Sequence, residues 1–93
     1  MKVNFNKRFR LYDGKESPES IANVVAQALY NHGSAKPVDA KEKYRAYVLS
    51  TQIVSQDGEI DITTEDATLI KNVCGECLTS GGYGQVYEII EDR

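Results

Sequence analysis

By residue type, Cys74 and Cys77 are the side chains of this sequence best suited to do chemistry, and they stand in a C-x-x-C spacing. A redox pair of that form needs its first thiol at a helix N-terminus, where the dipole lowers the thiol pKa, and it normally follows a strand. Here the pair falls late in a helical pattern, beside Glu76 and near the negative end of the dipole, which disfavours the thiolate. As a zinc half-site it lacks company. His32 is the only histidine, so three soft ligands stand where structural zinc takes four. The spacing favours buried, unligated thiols, with Cys77 in the middle of an apolar stripe and Cys74 at its edge.

Two further constellations fail on ligand chemistry. The acidic run Asp57-Gly58-Glu59-Ile60-Asp61 continues to Glu65 and Asp66 and invites a calcium loop. Aligning Gly58 with the loop glycine puts Ile53 and Thr64 where carboxylates must stand. Glu65 and Asp66 are better read as first-turn acids facing a helix dipole. Gly81-Gly82-Tyr83-Gly84 has neither the spacing of a phosphate loop nor its following Lys-Ser/Thr, and reads as a helix stop and restart. No Ser/His/Asp or Cys/His arrangement is visible. The expectation is a non-enzymatic protein with no catalytic residues, no metal and no cofactor.

What remains is charge. Residues 1–15 carry five basic side chains against one acidic, a local balance of +4, and the rest of the chain carries six against thirteen, a balance of −7. A basic arm on an acidic body makes a surface suited to a charged partner, whether a protein, a nucleic acid or a second copy of the chain. Lys2, Lys7, Arg8 and Arg10 are the candidate partner-binding residues, with Tyr12 beside them as an aromatic that could stack a base. A net charge of −3 and the lack of a basic helix suited to a major groove weigh against nucleic acid.

The elements that must position these residues follow from pattern. Val3, Phe5, Phe9 and Leu11 alternate with Lys2, Asn4, Asn6, Arg8 and Arg10, which predicts a strand with one buried and one cationic face. Lys7 breaks the apolar row, Asn6-Lys7 can bend the segment, and Asp13-Gly14 signals a turn. Ser17-Pro18 is expected to cap and open a first helix with a stripe of Ile21, Val24, Val25, Ala28 and Leu29, closed at Gly33. Asp39 with Glu42 has the spacing of a capping box for a second helix to about Val54. That helix is apolar over most of its circumference, which suggests a central position. Thr63 with Asp66 caps a third helix, striped by Leu69, Ile70, Val73, Cys77 and Leu78. Ser80-Gly81-Gly82 is expected to end it, and a last helix spans about Tyr83 to Glu91. The tyrosines in or beside these stripes are expected at core edges.

Ninety-three residues with 41% hydrophobic and 27% charged content make one globular domain, residues 1–93. The expected class is α+β, a short N-terminal strand or hairpin packed on about four helices. No stretch has the length or apolarity of a membrane span, no signal-peptide core is present, and two close cysteines are not a disulfide framework. A cytoplasmic protein without membrane contact is expected.

The order of elements resembles a group of small uncharacterised proteins encoded by bacteriophages and prophages. The residues that carry the likeness are the strand ending in Asp13-Gly14-Lys15 and the Val/Ala/Leu-rich first and Lys/Tyr-rich second helices. Ile60-Asp61-Ile62-Thr63-x-Glu65-Asp66-x-x-Leu69-Ile70-Lys71 and Tyr83-Gly84-Gln85-Val86 complete it. The resemblance implies a viral accessory or assembly protein of the host cytoplasm, and with it a host or viral protein as partner; a homodimer is a second expectation, drawn from the divided charge and the broadly apolar second helix. It carries over no active-site residue, and the cysteine pair lies outside its pattern.

Overall fold

Alternation over the first residues produces two short strands instead of one long one. A computed structural model describes residues 1–91 of the chain. Strand β1 (Lys2–Val3) pairs antiparallel with β4 (Ile60–Asp61), and β2 (Arg8–Arg10) pairs antiparallel with β3 (Glu16–Ser20). The switch between the two ladders lies at the expected bend. The Lys7 amide donates to the Phe5 carbonyl at 2.7 Å, and the Asn6 amide to the Asn4 side chain at 2.9 Å. Val3 and Phe5 reach the core, Phe9 is half-buried, and Leu11 lies past the end of β2, 51% exposed instead of buried.

The Asp13-Gly14 turn closes the β2–β3 hairpin, with Gly14 at φ +87°, a conformation that glycine adopts without a Cβ penalty. The returning chain must run beside β2 before it can turn into a helix, and this moves the helix start. Ser17 and Pro18 belong to β3, and the N-cap of α1 (Ile21–Tyr30) is Ser20, whose hydroxyl accepts from the Asn23 amide at 3.4 Å. Between the pairs Arg8↔Ser20 and Arg10↔Glu16, Phe9 alone faces three residues of β3. Pro18 sits in that bulge, where a missing N–H costs the ladder least.

Helix α2 (Ala40–Ser55) begins after Asp39, whose carboxylate accepts from Lys41 N–H at 3.2 Å. The expected capping box does not form, because Glu42 turns instead to His32, with Nε2 and Oε2 2.6 Å apart. Helix α2 buries one face only, through Ala46, Leu49, Ser50 and Ile53, and leaves Tyr44, Tyr47 and Val54 in solvent. It therefore flanks the core and does not run through its centre. Helix α3 (Thr64–Cys77) has the full capping box at Thr63 and Asp66.

Helix α4 (Ser80–Glu91) starts three residues before the expected Tyr83. Thr79 explains the early start: its hydroxyl accepts from Gly82 N–H at 3.3 Å and its carbonyl from Tyr83 N–H at 2.8 Å, which satisfies the donors of a glycine-rich first turn. The fold is α+β, with its N-terminal strands and four helices around one core. Helix α1 packs most extensively on α2 and also on α3, which carries α4. Val25, Leu29, Leu49, Ile70, Val73 and Val86 are the fully buried aliphatic centre. No helix among the described residues is long and apolar enough to cross a membrane.

Candidate partner-binding surface

Arg8 and Arg10 stand two residues apart on β2, and period two sends both side chains to the exposed face while Phe9 turns inward. The bend at Lys7 brings β1 close enough for Lys2 to join them. Lys2, Lys7, Arg8 and Arg10 all line one open groove of about 710 Å³. Glu16, Glu59 and Glu88 line it as well. Four of the five expected partner-binding residues thus share a surface.

The pairing within this groove is sparse. Arg8 Nη1 lies 4.0 Å from Glu16 Oε1 with both side chains mostly in water, a contact worth little in stability. Lys2, Lys7 and Arg10 have no ion pair among the described residues, and the same holds for Lys15, Lys41 and Lys43, whereas three cations of the body are paired. Arg45 grips Asp66 through two bonds, Lys71 reaches Glu91 at 2.8 Å, and Lys36 reaches Glu76 at 3.1 Å. The β1 part of the arm meets the acidic segment of its own chain as a strand partner, with Lys2 opposite Asp61 and Val3 opposite Ile60.

Gln85 holds the groove's edge in place. Its amide bonds Arg10 twice, accepting from the Arg10 N–H at 2.8 Å and donating to the Arg10 carbonyl at 2.9 Å. A side chain of α4 thereby mimics a neighbouring strand and occupies backbone groups that an edge strand otherwise leaves open. Nothing in the local sequence around Gln85 signals this contact, which spans most of the chain.

Tyr12 stands apart from the cations. It is fully exposed at the hairpin turn and lines a second groove of about 440 Å³ with Phe9, Leu11, Val24, Cys77 and Leu78. Arg10 and Gln85 line both grooves, so the two meet at the Arg10–Gln85 contact.

The thiols exchange their expected places. Cys74 is fully buried, and burial, with a smaller contribution from Cys77, pushes its thiol up to about 12. Cys77 is exposed because it is the last residue of α3, where the stripe has run past the packed elements and opens onto the second groove. No group of three or more His, Cys, Asp or Glu side chains among the described residues could hold a metal ion.

One exposed cluster lies elsewhere and has no counterpart in the expected site. Tyr30, Tyr44 and Tyr47 lie side by side in solvent, with ring centroids 6.3 Å and 6.2 Å apart in successive pairs. They were expected at core edges. Helical spacing places Tyr44 beside Tyr47, but only the packing of α1 on α2 brings Tyr30 to them and decides which side of each helix is covered.

The chain matched no protein-family model, no curated protein and no solved structure.

Proposed function

We propose that this domain works without catalysis, by binding another protein through the cationic groove of β1 and β2. The observation that carries the proposal is that Lys2, Lys7 and Arg10 converge on one groove without an ion pair among the described residues, on a chain whose net charge is negative. Lys15, Lys41 and Lys43 are unpaired as well among the described residues, so the convergence of Lys2, Lys7 and Arg10 on one groove, and not the missing pairs alone, supports the reading. Leaving three together unpaired keeps a local field available to an acidic partner. The reading is of an adaptor, inhibitor or small assembly component. Its assignment to the bacteriophage accessory type, acting in the host cytoplasm, rests on the order of elements and on the Ile60–Lys71 and Tyr83–Val86 segments.

A foreign partner is favoured over a second copy because two carboxylates of the 57–66 segment are already engaged within the chain. Asp61 lies in the ladder with β1, and Asp66 is bound to Arg45. A protein is favoured over nucleic acid because Glu16, Glu59 and Glu88 line the same groove: a protein can set single carboxylates against the cations and leave the glutamates unopposed, which a continuous phosphate backbone cannot do.

The test is affinity capture from nuclease-treated bacterial cells expressing the protein, compared by quantitative mass spectrometry with the Lys7→Glu/Arg10→Gln variant. Arg10 is neutralised and not reversed because it faces Glu16 across the hairpin, where like charges repel. The expected result is a captured protein that the variant loses, with stability unchanged to within about 1 kcal/mol. Equal capture by both forms, or capture of nucleic acid alone without nuclease, would overturn the proposal.

A further inference from the structure

The second groove adds what the cationic groove lacks, an apolar floor. Phe9, Leu11, Val24 and Leu78 line it, and Leu11 is 51% exposed with no core to cover it. It shares Arg10 and Gln85 with the cationic groove, and Arg10 carries no ion pair among the described residues. The hairpin strand β2 therefore separates two adjoining hollows of different chemistry, one where unpaired cations alternate with Glu16, Glu59 and Glu88, and one mostly apolar with Glu19 in its lining.

We infer that the two grooves form one composite docking surface, and that its occupant is a peptide segment of a partner protein carrying a cluster of carboxylates next to a large apolar residue. The inference rests on the binding role proposed above and names the chemistry of the partner. Charge complementarity fixes the acidic end: Lys2, Lys7 and Arg10 accept carboxylates on the β1 side of the contact. The shared residues fix the spacing, because a chain that crosses the Arg10–Gln85 contact passes directly from the cations to the Leu11 side. Gln85 keeps that crossing rigid by holding Arg10's backbone from α4, so the cationic side chain is presented from a fixed strand. The apolar anchor then supplies the affinity, since burying a leucine or phenylalanine side chain outweighs an exposed ion pair. The carboxylates supply orientation and encounter rate.

The probes are three fluorescent synthetic peptides followed by anisotropy. One carries glutamates separated by serines, so that single carboxylates can meet the cations, followed by a leucine–phenylalanine pair. The second has serines in place of that pair, and the third has glutamines in place of the glutamates. A single-stranded oligonucleotide is the fourth probe. The first peptide is expected to bind about tenfold or more tighter than the second, the factor that burial of one large apolar side chain supplies. Leu11→Ser should bring the first peptide to the level of the second and leave the second unchanged. Tyr12→Ala, at a fully exposed side chain on the same groove, should weaken the first peptide and not the second, while leaving the fold intact. Lys7→Glu/Arg10→Gln should weaken both. Equal binding of the first two peptides would overturn the composite surface and leave the cationic site standing. Failure of all peptides, or tighter binding of the oligonucleotide, would overturn both readings.

Discussion

Replacing Asp66 with alanine removes the one carboxylate that ties α2 to the start of α3. Asp66 is 3% exposed and accepts two bonds from the Arg45 guanidinium, one of them from Nε at 2.6 Å, and a third from the Thr63 amide at 3.1 Å. The Arg45 side chain is 46% exposed, so deleting its partner leaves a cation that water can still solvate. The cost therefore falls below that of breaking a fully buried pair. Charge-assisted bonds contribute about 1.5–3 kcal/mol and the lost reciprocal half of the capping box about 0.5–1 kcal/mol, the Thr63 hydroxyl still capping the helix, together about 2–4 kcal/mol. For a chain of this size that lowers the melting temperature by roughly 10–25 °C.

The same carboxylate predicts a pH dependence. The bonds from Arg45 hold its pKa below the ordinary carboxylate range, with the Thr63 amide adding to the effect and burial opposing it. A pKa lowered by folding means that the unfolded chain binds the proton more readily. The stability Asp66 contributes is thus complete above the unfolded carboxyl range and is lost as pH falls through the lower folded value, from about pH 5 downward. Urea unfolding followed by circular dichroism, for wild type and for Asp66→Asn at a series of pH values, measures this directly. The difference between the two should be largest near neutrality and shrink on acidification. A difference independent of pH, or a cost for Asp66→Ala below about 0.5 kcal/mol, would refute the reasoning.

Other outcomes follow from burial. In the native protein Cys77 should react rapidly with a thiol reagent and Cys74 only on unfolding, and Cys74→Ala should cost about 1 kcal/mol while Cys77→Ser costs little. Phe5, 2% exposed, should cost about 3–5 kcal/mol when replaced by alanine, enough to populate the unfolded state in a domain of this size. Urea titration checks both sets of costs.

Elements whose signals are local were legible in the sequence. The Thr63–Asp66 capping box and the Asp13-Gly14 turn involve residues close together in the chain and are where the pattern puts them, while Gly33 is left-handed as expected (φ +94°) but in the turn after α1, whose C-cap is Asn31. Ser17-Pro18 misled because a proline after a serine suits a helix start and a strand bulge equally. The pairing of β3 with β2, a tertiary fact, selected the bulge. The glycines before Tyr83 misled because Thr79's capping of their donors offsets glycine's poor helix propensity. At the candidate site, the clustering of Lys7, Arg8 and Arg10 was visible as composition. The lack of an ion pair at Lys7 and Arg10 among the described residues, the arrival of Gln85 from α4 and the apolar groove beside Leu11 depend on how distant segments meet, and no spacing rule reports that. Cys74 and Cys77 show the limit clearly. Both fall on the inward side of α3, but depth along the helix, not angle around it, decides which is covered.

The central claim is that a protein partner is bound at the β1–β2 groove. The most direct measurement is to label the protein isotopically and follow its backbone amide resonances by NMR as the captured partner is added. Shifts concentrated at Lys2, Lys7, Arg8, Arg10 and Gln85, and weakened as salt rises, are the predicted result. Shifts centred instead on Tyr30, Tyr44 and Tyr47, with the residues of β1 and β2 undisturbed, would contradict it.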